Sequence, residues 1–280
     1  MLLGTLLAAV LAGCATAPQP AAGNRPDGPE RPALHVVSYN IGDVTGSPAD
    51  PEEVAAVLAG IGWADVYLFQ EIWTHAHLSG LRAEMDAAGA PAYHVEYARG
   101  MRQAVFSRYP LSTCRAFVPD SMRWRYGTLR CSLEGWPVAV AGVHLEPIEK
   151  RRTEDGFVRM GIVSTLGTIL REALLDTPRS HGAREVAAWL SSWPDRATIV
   201  GGDFNTVPFT RTIRFMNRRY DDALRGSGDY LAGTYWKVDG GVLPRVDFVF
   251  HSGTLDTVDA RVVTARAGDH YPVSVMLELR

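Results

Sequence analysis

Apolar residues fall in short runs separated by polar turns, interrupted by a few stretches of helical spacing. Leu34 to Tyr39 predicts a strand running into Asn40. Asp50-Pro51-Glu52-Glu53 supplies an N-cap, a first-turn proline and a capping-box glutamate for a helix reaching Ala59. Val66 to Phe69 is continuously apolar and ends in Gln70-Glu71, which fits a strand covered on both faces with a polar tip. Thr74 caps a second predicted helix carrying Leu78, Leu81 and Met85. The runs Tyr93 to Tyr97, Ala104 to Ser107, Thr113 to Phe117, Leu129 to Leu133 and Val138 to His144 predict an antiparallel meander. A helix over Ser180 to Trp193 follows, then a buried strand at Ala197 to Gly201 and further strands at Val246 to Phe250, Arg261 to Thr264 and Tyr271 to Leu279. Two strand groups with helices at intervals pack best as an α/β sandwich, two mainly antiparallel sheets face to face with helices outside.

One segment stands apart, an insertion at about residues 149–180. From Gly156 to Leu175 the apolar residues Phe157, Met160, Val163, Leu166, Ile169, Leu170 and Leu174 recur at helical spacing, and the charges inside the run are Arg159, Arg171 and Glu172. It reads either as a helix packed on the flank, or as a lid or membrane-facing element. In the second case Lys150, Arg151 and Arg152 at its start would meet anionic head groups.

Charge excludes one class of function. With 28 basic against 31 acidic residues there is no global positive field, so a strongly basic DNA-coating protein is ruled out. The N-terminus carries a different signal. Met1 to Gly13 is almost wholly apolar, too short to span a bilayer, and ends in Leu11-Ala12-Gly13-Cys14. That ending resembles a bacterial lipoprotein signal, with residues 1–13 as signal peptide, Cys14 as the lipidated N-terminus and a flexible tether to residue 33. No Lys or Arg precedes the apolar run. The implied location is the bacterial cell envelope, lipid-anchored and facing the periplasm or exterior, with no obligate protein partner. Cys114 and Cys131 lie in neighbouring extended segments and are either bridged or two buried thiols.

The polar residues Asn40, Glu71, His144, Asp203, Asn205, Asp247, Asp269 and His270 each lie at or beside the end of an apolar run. In Gly201-Gly202-Asp203-Phe204-Asn205 an extended chain turns Asp203 and Asn205 to one side and Phe204 to the other. The two glycines admit a close approach to the backbone. Carboxylate and amide oxygens with histidine, and no cysteine beside them, select a hard divalent cation, Mg2+ or Mn2+, and such a centre suits phosphate esters. Asp43, His35, His75, His77 and His94 read as cap or turn residues and receive no role.

Six short motifs occur in a telling order: Ser38-Tyr39-Asn40-Ile41, Gln70-Glu71, Val143-His144-Leu145, Gly202-Asp203-Phe204-Asn205, Arg245-Val246-Asp247-Phe248-Val249 and Gly268-Asp269-His270. Over residues 34–280 the chain resembles the endonuclease/exonuclease/phosphatase superfamily. The resemblance implies a four-layer α/β sandwich and metal-dependent phosphoester hydrolysis. It implies a metal held by Glu71 with Asn40 and Asp269, and a water oriented by Asp203 and Asn205. His270 is implied as general base or phosphate contact, held by Asp247, with His144 donating to a phosphate oxygen and the proton acceptor shared between Asp203 and His270. Arg184 is a candidate phosphate contact.

The reading leans to a phosphodiesterase acting on phospholipid head groups, with an envelope or extracellular nuclease on DNA or RNA as the alternative. Gln70-Glu71-Ile72-Trp73 and the run Gln103 to Pro110 are similar to the sphingomyelinase-like branch. Met122-Arg123-Trp124-Arg125-Tyr126 interleaves cations and aromatics, as nucleic-acid grooves do, or else forms a hairpin loop. A catalytically inactive binding lipoprotein is the alternative from another class.

Overall fold

The computed structural model describes residues 32–43, 46–123, 125–147, 152–153, 156–157, 162–195, 197–237, 241–243 and 245–280. Cys14 and the tether up to residue 31 lie outside the described residues, as do Lys150 and Arg151.

Two six-stranded sheets form the body. The first contains β1 (Ala33–Asn40), β2 (Val66–Gln70), β3 (His94–Ala98), β4 (Gln103–Ser107), β15 (Leu255–Val262) and β16 (Val273–Leu279), in the order β15-β16-β1-β2-β4-β3. The second contains β5 (Leu111–Phe117), β6 (Gly127–Leu133), β7 (Val138–His144), β10 (Ala197–Asp203), β11 (Asp221–Asp222) and β14 (Asp247–His251), in the order β11-β14-β10-β7-β6-β5. Each sheet has one parallel pair at its centre, β1 with β2 and β10 with β7, flanked by antiparallel pairs. Two short hairpins, β8 (Arg152–Thr153) with β9 (Gly156–Phe157) and β12 (Tyr235–Lys237) with β13 (Gly241–Leu243), lie outside the sheets.

Period-two alternation divides the strand side chains between layers. Leu34 and Val36 of β1 point inward with Val66, Leu68 and Val105, and meet Leu129, Cys131, Val138, Val140, Ile199 and Val249 of the other sheet. Val37, Tyr39, Tyr67, Phe69 and Phe106 point outward and are covered by α1 (Pro51–Ile61) and α2 (His75–Ala87) through Val54, Leu58, Leu81 and Met85. On the far side α4 (Pro178–Leu190) and α5 (Arg211–Met216) cover Ala141, Val143, Val200, Phe248 and Phe250. The four-layer sandwich is therefore as the sequence predicts. The sheets approach closely at β10, where a Cβ on Gly201 would lie 2.8 Å from Leu68 Cδ1 and 3.3 Å from Ser38 Cβ of the opposing sheet.

Local details differ from the sequence reading for identifiable reasons. The strand expected at Arg261 to Thr264 is the tail of β15, which starts at Leu255. A bulge between Thr257 and Asp259 breaks the alternation that would have marked it. The helix expected from Ser180 begins at Pro178, because Thr177 caps it and forms a reciprocal capping box with Ser180. Helix α3 (Ile162–Leu174) occupies the inserted segment. Cys114 and Cys131 are bridged, tying β5 to β6. Among the described residues, no helix is long and apolar enough to cross a membrane.

Candidate active site

The topology brings the polar strand tips together. Both central pairs are parallel, so β1, β2, β7 and β10 deliver Asn40, Glu71, His144 and Asp203 from their C-terminal ends. Strand β14 runs antiparallel to β10 with Asp247 opposite Asp203. Strand β16 runs antiparallel to β1, so the Asp269-His270 turn before it arrives at the same end.

Asp203 stands at the centre. Its Oδ2 accepts from Asn40 Nδ2 across the sheets at 3.1 Å and from Asn205 Nδ2 at 3.1 Å, while its Oδ1 accepts from the Asn205 backbone N–H at 2.7 Å. The same Oδ2 lies 3.7 Å from His144 Nε2 and 3.8 Å from His270 Nε2. His270 Nδ1 is 2.8 Å from Asp247 Oδ2, and its Nε2 is 3.8 Å from Asp269 Oδ1. His144 Nε2 is 3.9 Å from Glu71 Oε1, and Asn40 Nδ2 reaches the same oxygen at 3.4 Å. Glu71 and Asn205 both adopt positive φ, 65° and 48°, an uncommon backbone for these residues that aims their side chains into the cluster.

Burial and neighbouring charge set distinct protonation states. Burial opposes a charge on His270, but the carboxylates of Asp247, Asp203 and Asp269 outweigh it and raise the imidazole to about 10. Burial pushes the Asp203 carboxyl up to about 7, against the attraction of His270. His144 is lowered, mainly by burial, with Glu71 pulling the other way. At neutral pH the centre holds one charged imidazole, one neutral imidazole and a carboxylate close to its titration point.

The donor set fits a hard cation. Among the described residues Glu71 makes no ion pair with Lys or Arg and, at 27% side-chain exposure, is the more open of the central carboxylates. Gly42 leaves the space it needs, since a Cβ there would lie 2.1 Å from Glu71 Oε2, and the Gly42 N–H holds Asn40 Oδ1 at 2.9 Å. Asp203, Asp247 and His270 also offer ligand atoms within 4.8 Å of one another, and Asp247 Oδ1 is buried without a hydrogen-bond partner. A charged His270 has no lone pair to offer, however, so Glu71 and Asn40 are the better seat for the cation.

Arg184 does not join this cluster. It pairs with Asp176 at 2.6 Å and lies 6.0 Å from the Phe215 ring, beside Arg211, Arg214 and Arg218.

Several neighbours of the centre carry no sequence motif of their own. Tyr126 stands edge-on to His144 at 5.1 Å, Tyr235 lies 5.0 Å from His270, and Thr234 Oγ1 accepts from the Asp247 N–H. Arg102 sits 3.6 Å over the Trp73 ring and feels the charges of Glu71 and Arg125. The cation and aromatic interleaving around Tyr126 was the available signal. Arg102 and Tyr235 had none, because they reach the site only through the fold.

Solved structures share this architecture at low sequence identity. An endonuclease/exonuclease/phosphatase from Bacteroides vulgatus is 14% identical, with 89% of this chain and 100% of that one covered at a TM-score of 0.66. TDP2 of D. rerio, humanized by 14 mutations, is 14% identical, with coverage of 88% and 99% and a TM-score of 0.63. The catalytic domain of human Nocturnin with bound sulfate is 13% identical, with coverage of 90% and 96% and a TM-score of 0.60. No curated protein matches the sequence. From residue 37 to residue 270, the stretch that holds every strand-tip residue described above, the chain matches the model of the Endonuclease/Exonuclease/phosphatase family, and it belongs to that family.

Proposed function

We propose that this protein is a divalent-metal-dependent phosphodiesterase, with a phospholipid head group as its substrate class. The observation that carries the proposal is the position of Asp203, a buried carboxylate raised to about 7 with an amide on either side and two imidazoles within 4 Å. A group titrating near neutrality can take a proton from water and release it again. Asn205 Nδ2, which also donates to the Leu145 carbonyl at 2.9 Å, fixes the orientation of the carboxylate. His270, kept charged by Asp247, donates to a phosphoryl oxygen and stabilises the charge that grows there. His144, neutral, supplies a second donor without adding charge. Asn40 and Glu71, with Asp269 nearby, would hold Mg2+ or Mn2+, which supplies charge neutralisation at the phosphoryl group and leaving oxygen.

Two sequence features support the lipid substrate: the likeness of Gln70 to Trp73 and of Gln103 to Pro110 to sphingomyelinase-like chains, and Leu11 to Cys14 as the mark of a lipid-anchored envelope protein. The Cys114–Cys131 bridge accords with an oxidising compartment. One observation favours a nuclease instead. Arg102 stacked on Trp73, with Tyr126 beside the centre, forms a wall on which a nucleic-acid base could stack.

The test is a Mg2+-dependent panel on sphingomyelin, phosphatidylinositol phosphates, plasmid DNA, RNA and a bis-aryl phosphate, with Asp203→Ala as blank. Turnover of a phospholipid above the nucleic acids supports the proposal. Nucleic-acid cleavage alone assigns the second reading, and equal rates for wild type and Asp203→Ala on every substrate overturn both.

A further inference from the structure

Helix α3 is inside out over its C-terminal half. The residue it buries is Glu172, paired with Arg179 Nη2 at 2.6 Å and accepting from Thr177 Oγ1 at 3.0 Å. Leu170, Leu174 and the following Leu175 point outward, 59%, 62% and 56% exposed. A helix on a globular surface ordinarily does the reverse.

Beside these leucines lies a cavity of about 350 Å3 lined by Arg184, Arg211, Arg214, Phe215 and Arg218. Cavity and leucines form one surface, because Arg211 Nη1 donates to the Leu174 carbonyl at 2.9 Å and Arg214 Nη2 to the Ala173 carbonyl at 2.6 Å. Among the described residues the acid paired with these arginines is Asp176, which meets Arg184 at 2.6 Å and Arg211 at 3.1 Å. Four guanidinium groups against one carboxylate make a local positive field on a chain whose formal charge is −3.

We propose that this face docks on an anionic phospholipid bilayer, with Leu170, Leu174 and Leu175 entering the acyl boundary and Arg214 and Arg218 meeting lipid phosphates. Apolar side chains flanked by cations are the composition of interfacial membrane elements. A nucleic acid would engage the arginines and leave the leucines in water, while a second copy of the chain would have to bring carboxylates to four guanidinium groups. The inference is independent of what the catalytic centre hydrolyses, and its test reads binding alone.

The experiment is sedimentation of the full chain with vesicles of phosphatidylcholine, with or without phosphatidylglycerol, at low and high salt. The wild type should partition about tenfold more strongly onto the anionic vesicles, and high salt should abolish the difference. Arg214→Gln with Arg218→Gln should remove the preference for anionic lipid, and Leu174→Ser with Leu175→Ser should weaken binding to both vesicles. The N-terminus is the same in all these proteins, so the differences report on this face. Melting temperature and the circular dichroism spectrum serve as folding controls. Arg218→Gln alone, at an exposed side chain, backs up the double variant. Equal partition onto both vesicles, or arginine variants that bind as the wild type does, overturns the proposal. So does a duplex DNA retained through Arg214 and Arg218 without any vesicle preference, or a dimer that the serine variant dissolves with vesicle binding unchanged.

Discussion

His270 presents its two ring nitrogens to three carboxylates, with Nδ1 2.8 Å from Asp247 and Nε2 3.8 Å from both Asp203 and Asp269. The close contact holds the ring and its charge, and the longer one to Asp203 is short enough for a single reacting oxygen beside the pair to reach both acid and imidazole. His270→Ala and Asp203→Ala should each lower kcat by about 100-fold or more with an unchanged circular dichroism spectrum. Asp247→Asn keeps the shape and loses the charge, so it should cost less, about tenfold. Full activity in both folded alanine variants would remove the catalytic assignment.

The pH profile should be bell-shaped. Asp203 must be ionised to accept a proton, so kcat/KM should climb with pH as this burial-raised carboxyl titrates near 7. It should fall again as His270, raised to about 10, loses its charge. In His270→Gln the alkaline limb should vanish and the acid limb should move to higher pH, because the charge of His270 is what holds the buried Asp203 carboxyl down. An alkaline limb that survives the substitution would assign it to another group.

Cation binding can be read without turnover. Mg2+ or Mn2+ should raise the melting temperature of the wild type, and excess chelator should reverse both the shift and the activity. Glu71→Gln should abolish the shift. Gly42→Ala should do the same from outside the ligand set, because its methyl group would occupy the space of the Glu71 carboxylate.

At the other end of β1, His35 should contribute to acid lability. Burial lowers its pKa, with Arg261 acting in the same direction and Asp65 against, and its Nε2 lies 2.8 Å from Ser274 Oγ. The fold therefore keeps this ring neutral while the unfolded chain protonates near 6.5. Its share of stability is complete above that pH and is lost as pH falls below it. His35→Asn should flatten the decline in urea midpoint between pH 7 and pH 5 relative to wild type. Parallel curves would exclude His35 as a cause.

The Cys114–Cys131 bridge closes a loop of 17 residues' separation between adjacent strands. Chain-entropy arguments put its worth at about 3 kcal/mol. Replacing both cysteines by alanine should lower the urea unfolding free energy by that order and leave the metal-induced melting shift intact, since neither cysteine touches the centre.

Much of this could be read from the sequence because the strands are short, apolar and tipped with polar residues. Val66 to Phe69 followed by Gln70-Glu71, and Ala197 to Gly201 followed by Asp203, announce both the strands and what they deliver. What escaped has a physical reason in each case. The bulge in β15 hides its period, and the left-handed backbone at Arg102 gives no pattern at all. Arg184 looked like a phosphate contact on its helix, yet Asp176, eight residues earlier, holds its guanidinium. The outward face of α3 shows in its spacing only as amphipathic character, since spacing cannot say which side is covered.

Gly201 acts as a spacer of zero thickness between two plates. Asn40 belongs to one plate and Asp203 to the other, so their 3.1 Å contact measures how far apart the plates stand at this end. A methyl group at residue 201 would wedge them open against Leu68 and Ser38, lengthening that contact before any strand came loose. Catalysis in this architecture is therefore a gauge of sheet separation. Core substitutions that only shift the gap by a few tenths of an ångström should dim the activity of a protein that still melts as one body.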